Sequence, residues 1–112
     1  MKNQINFVAL TGIAGKDLKI TPLADGKKVA RVSIAVNEYY NAADGPKQVT
    51  NWLNLVFWNS TVDEAKKIVK KGAKLIVEGR LKTNVYTKKA DQKGKEEKRY
   101  EVEIIVEKIS GE

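Results

Sequence analysis

Tryptophans, tyrosines and lysines are the residues of this chain whose types and spacing could do chemistry. Trp52 and Trp58 are an even number of positions apart, so the period-2 alternation of a strand puts both indoles on one face. Tyr40 ends an apolar stretch ahead of the loop at 41–46, and Tyr86 opens a polar run at 87–98 that holds five lysines. Flat rings beside cations suit the non-covalent capture of planar groups strung on an anionic chain. An unpaired base stacks on an aromatic face for about 1–3 kcal/mol while Lys and Arg neutralise the phosphates. Arg31, Arg80, Lys82, Lys88, Lys89 and Arg99 lie on segments adjoining the four rings, where they can pair with phosphates or stack on bases. For each cation singly, and for the loop lysines above all, plain solvation is the competing role.

Covalent chemistry has little to work with. The 112 residues contain no histidine and no cysteine. The commonest general base, the commonest transition-metal ligand, thiolate nucleophiles and disulfides are therefore all missing. Glu101, Glu103 and Glu107 fall on one strand face, the pattern of an exposed acidic edge, and no phosphate-cradling glycine loop occurs. Neither a catalytic constellation, a metal site nor a cofactor is expected, and no small-molecule substrate.

Charge supports a polyanionic partner. Residues 1–65 carry 7 basic and 6 acidic side chains, residues 66–99 carry 13 and 4, and residues 100–112 carry 1 and 4, which accounts for the net +7. The excess of +9 in the middle segment is the footprint expected of a nucleic-acid-binding face, with a solvated lysine surface as the alternative. No stretch has the roughly 20 apolar residues of a membrane span, and no leader is recognisable, so a cytoplasmic, nucleoid-associated protein is expected.

The elements that must position these groups read as strand, strand, strand, helix, strand, strand. The strand-like segments are 4–12, 28–40, 48–58, 74–86 and 99–109. In the third, Val49, Leu53, Leu55 and Phe57 take one face and Trp52, Asn54, Val56 and Trp58 the other; since one face of a small barrel strand is core, the indole face is left for function or for a subunit contact. Tyr39 and Tyr40 are adjacent, so one is expected inward and one outward. Phe7 and Tyr100 sit in apolar alternation and read as core or interface. Val62, Ala65, Ile68 and Val69 mark a helix over 61–71, with Thr61 and Glu64 as a capping box and Gly72 at its end. Gly79, inside the fourth segment, signals a bulge, a bend or a close backbone approach. The sequence predicts one all-β domain over 1–112: a five-stranded OB-fold barrel with one α-helix between strands 3 and 4.

Several segments carry a family resemblance. Residues 6–12 (NFVALTG), Val29-Ala30, residues 35–38 (AVNE), Trp52, Lys71-Gly72, residues 77–81 (VEGRL) and Arg99-Tyr100, in this order and spacing, resemble the bacterial-type single-stranded DNA-binding proteins. The resemblance implies an OB fold, usually in a homotetramer, that binds and protects single-stranded DNA during replication, recombination and repair. It implies base-stacking roles for Tyr40, Trp52, Trp58 and Tyr86, the same set that strand alternation selects; relatives often carry tryptophan where tyrosine stands at 40 and 86. The family usually continues into a flexible linker and an acidic tip that recruits other proteins. This sequence stops at Ser110-Gly111-Glu112, so a short form without tip-mediated recruitment is expected, whether natural or trimmed. Two other readings remain: a primosomal-type OB dimer serving mainly as a protein-interaction module, and an RNA-binding OB domain.

Overall fold

The computed structural model describes residues 3–88 and 97–112. Its elements run β1 (Val8–Ala14), β2 (Lys19–Pro22), a 3-10 turn at Ala24–Gly26, β3 (Lys28–Ala42), β4 (Gly45–Trp58), α1 (Ser60–Ile68), β5 (Lys74–Lys88) and β6 (Glu97–Gly111). The sheet order is β1-β5-β6-β4-β3-β2, and a further β1–β3 pairing closes a ring of β1, β5, β6, β4 and β3. This is the expected five-stranded OB barrel. The helix leaves the end of β4 as anticipated, but it falls between the fourth and fifth strands in chain order, because Lys19–Pro22 forms a short strand that its single apolar residue, Ile20, did not signal.

β1 and β2 are two lengths of one rail along β3. Ile13 and Ala14 pair with Ala35 and Ile34, and Lys19 resumes opposite Arg31, so the four residues 15–18 face only Val32 and Ser33. The surplus is pushed out of line beside the barrel wall.

Alternation fills the interior as the sequence demanded. Ile34, Leu55, Phe57, Val62, Leu75 and Val77 are fully buried, each worth about 1.5–3 kcal/mol of transfer free energy. The helix seals one end of the barrel with Val62 and Ala65, while Val69 follows its last turn. It begins one residue before Thr61, and its N-cap is Asn59 at φ 51°, without a side-chain cap bond. Thr61 therefore lies inside the helix and the anticipated capping box does not form; Asn59 Oδ1 accepts from the Lys28 backbone N–H at 3.2 Å.

Gly79 marks a crossing point. The β5–β6 register slips between Glu78 and Gly79, leaving Glu107 as an extra residue on β6. A β-carbon at Gly79 would lie 2.1 Å from the Ile105 carbonyl oxygen, so only glycine lets the two backbones approach there.

Candidate nucleic-acid interface

The outward face of the ring is built by strand registers. On β4 the outward side chains are Trp52, Asn54, Val56 and Trp58, opposite Ala35, Ser33, Arg31 and Val29 of β3. β6 runs parallel on the other side of β4, with Glu103 beside Asn54 and Ile105 beside Val56. β5 completes the face through Arg80 opposite Ile105, Lys82 opposite Glu103, Asn84 opposite Glu101 and Tyr86 opposite Arg99. The indoles occupy this face because Leu55 and Phe57 already fill the other side of β4.

Both indoles are available: Trp52 is 63% exposed and Trp58 40%. Trp52 rests against Gly15, where the surplus loop returns to the wall; a β-carbon at Gly15 would stand 2.6 Å from Trp52 Cζ3. The Gly15 N–H donates to the Ser33 carbonyl at 2.9 Å, which fixes this seat to the sheet. In the sequence, Gly15-Lys16-Asp17 has only the character of a turn, and nothing local shows a contact with a residue so far along the chain.

Tyr40 is 52% exposed, on the long β3–β4 hairpin opposite Lys47. Its neighbour Tyr39 is 74% exposed, so neither ring points inward: the hairpin has outrun the barrel and has no interior to offer. Phe7 and Tyr100 are also exposed, which removes the core half of their expected role. Tyr86 and Lys88 enter through the backbone, in register with Arg99 and Glu97. Lys89 lies outside the described residues.

Between the Gly15 loop and the β5–β6 hairpin lies a groove of about 450 Å³, lined by Lys16, Asp17, Lys19, Arg31, Val32, Ser33, Asn54, Asn84, Glu101 and Glu103. Its floor is a hydrogen-bonded network. Ser33 Oγ donates to Asn54 Oδ1 at 3.4 Å, Asn54 Nδ2 donates to Glu101 Oε1 at 2.7 Å, and Arg31 Nε donates to Glu103 Oε2 at 3.3 Å. Glu103 is buried, so the anticipated acidic edge is broken: its carboxylate points into the groove wall, where Arg31 neutralises it. Arg80 is likewise engaged, with Glu107 at 3.3 Å. Of the expected phosphate contacts, Arg31 and Arg80 thus already hold carboxylates; Lys82 is exposed on the same face. The lining carries three cations and three anions, so the floor is polar and charge-balanced, and the cationic surplus sits around it.

A five-stranded ring with an exposed indole pair outward of β4 and a polar groove alongside has counterparts among known proteins. The family model described as "Single-strand binding protein family" matches residues 5–111. The chain belongs to the single-strand binding protein family. A solved structure titled "Plasmodium falciparum SSB complex with ssDNA" has the same fold at a TM-score of 0.83, covering 99% of this chain and 97% of that one at 24% identity. Membership extends from residue 5, ahead of β1, to the last residue of β6, so the rings and the groove both lie within the matched region.

Proposed function

We propose that the protein binds single-stranded DNA through this face, without a defined recognition sequence, and protects it in replication, recombination and repair rather than catalysing a reaction on it. The observation that carries the reading is the pair of exposed indoles, Trp52 and Trp58, on one side of β4 in a chain of the single-strand binding family. The related structure from Plasmodium falciparum, whose title records a complex with single-stranded DNA, supports it. Bases stack on Tyr40, Trp52, Trp58 and Tyr86. Phosphates run along Arg80, Lys82, Lys88, Lys89 and Arg99, with Arg80 exchanging Glu107 for phosphate as the strand settles, while Arg31, the sixth expected phosphate contact, stays on Glu103 in the groove and faces the bases. Titration with a mixed-sequence single strand quenches tryptophan fluorescence, with an affinity that falls as salt rises. Absence of quenching at low salt overturns the proposal.

The working unit is a homo-oligomer, most simply a tetramer, acting in the cytoplasm at the nucleoid. An apolar surface supports self-association: Leu81, Val85, Tyr100 and Val102 on the β5–β6 hairpin are all exposed, together with Phe7 on the segment leading into β1. Asn6 ties that segment to the hairpin, donating to the Leu81 carbonyl at 2.8 Å and accepting from the Leu81 N–H at 2.9 Å. Contiguous apolar surface of this kind marks association sites in soluble proteins. Light scattering reports four chains per particle if this is right, and a single chain at working concentration refutes it.

A further inference from the structure

The floor of the groove is unsuited to phosphate and suited to the edges of bases. Glu101 and Glu103 lie two residues apart on the same face of β6, and both line the groove. Arg31 neutralises Glu103, but Glu101 has no ion pair among the described residues, so a phosphodiester laid over it meets an uncompensated carboxylate. The sugar-phosphate chain is thereby pushed to the rim, where Lys16 and Lys19 are exposed, and the bases turn inward.

What a base then meets is fixed by the network. The Asn54 amide is committed at both ends, its Oδ1 to Ser33 and its Nδ2 to Glu101. That bond occupies Oε1 of Glu101, and Oε2 has no partner among the described residues. The Arg31 guanidinium is held through Nε by Glu103, while its side chain is 52% exposed and its Nη groups are unengaged among the described residues. The groove therefore offers one anionic acceptor and one forked donor.

We infer that Glu101 and Arg31 give the strand-binding face a compositional bias, favouring cytosine over thymine at the base that occupies this groove. The inference rests on the reading of the face as a single-strand binding surface. Cytosine carries an amino donor beside two acceptors on its Watson–Crick edge, which matches a carboxylate next to a guanidinium; carboxylate side chains accept from the cytosine amino group in duplex readout. Thymine presents a carbonyl at the corresponding position, opposite the Glu101 carboxylate, and is repelled. The two pyrimidines are similar in ring size, so their difference isolates the edge. Bases elsewhere on the face, stacked on exposed rings, are bound without regard to type.

The test is fluorescence titration of the whole protein with oligo-dC and oligo-dT of equal length, repeated on Glu101→Gln and Glu101→Ala. The wild type binds oligo-dC about fivefold more tightly, the lower end of what one well-formed base-edge pair discriminates. In Glu101→Gln the side-chain oxygen stays with Asn54 and an amide N–H₂ donor faces the groove, so the preference inverts toward oligo-dT. In Glu101→Ala it disappears. Equal affinities in the wild type, or a ratio unmoved by either substitution, overturn the inference while leaving single-strand binding intact. Failure to bind either oligomer overturns the function itself.

Discussion

The Trp52 indole is seated on Gly15, close enough that a β-carbon at residue 15 would come within 2.6 Å of the ring. The ring's attitude toward solvent is therefore set by a piece of backbone from the opposite rail. Gly15→Ala forces the indole to turn, since the Cζ3 contact leaves no room and the ring is freer to move than the sheet-bonded loop. Affinity for single-stranded DNA should fall by up to about tenfold, a loss near 1.4 kcal/mol and inside the range of one stacked base. Thermal melting separates this from unfolding: the midpoint stays within a few degrees of wild type.

Trp52→Ala removes the ring outright. With the side chain 63% exposed, its loss costs binding about 1–3 kcal/mol and folding little. Trp58 is 40% exposed and terminates β4 opposite Val29, a residue buried with Val56 and Ile105, so Trp58→Ala should lower both affinity and stability. Titration and urea unfolding of the two variants, run side by side, show whether binding and stability separate in this way.

Gly79→Ala is a fold lesion. The clash is with the Ile105 carbonyl, which is backbone and cannot swing aside. Destabilisation of about 1–3 kcal/mol or more is expected, read as a lower urea midpoint. A variant as stable as wild type would show that the β5–β6 approach is looser than described.

Salt dependence sorts the cations. Lys82 is exposed on the binding face, and removing one phosphate contact from a single-strand complex lowers the slope of log K against log salt by about 0.7. Lys82→Ala should show that change. Arg80→Ala should show less, because Arg80 must first leave Glu107 before it can meet a phosphate.

Asp63 supplies a pH signature remote from the groove. Its hydrogen bond from Lys28 holds the carboxyl below the ordinary value of 3.8. A lowered folded-state pKa means that the contribution is present above that ordinary value and is lost as pH falls through the folded value. The pair is exposed, so the effect is small. Asp63→Asn should melt slightly below wild type at about pH 7, and the gap should narrow as the pH is taken down below 3.8, with single-strand affinity unchanged.

Much of the barrel was readable from period alone. Leu55 and Phe57 claim the interior side of β4, which leaves Trp52 and Trp58 no place but outside, and Gly79 announced the crossing at Ile105. What alternation cannot show is whether anything covers a face. Phe7, Tyr39 and Tyr100 follow the apolar rhythm but lie where the strands have outrun the core. Glu103 reads as a solvent-facing acid until Arg31, from a distant strand, is brought beside it. β2 was missed because Lys19–Pro22 is too short and too polar to declare itself; it pairs because β1 has already aligned the rail.

The two surplus residues stored between β1 and β2 have an architectural consequence. They act as slack in one wall, placed where that wall borders the groove and cradles an indole. Lengthening or shortening this slack would raise or lower the cradle while every rung of the ladders on either side keeps its partner. The barrel can in this way adjust what its mouth accepts without renegotiating how it stands.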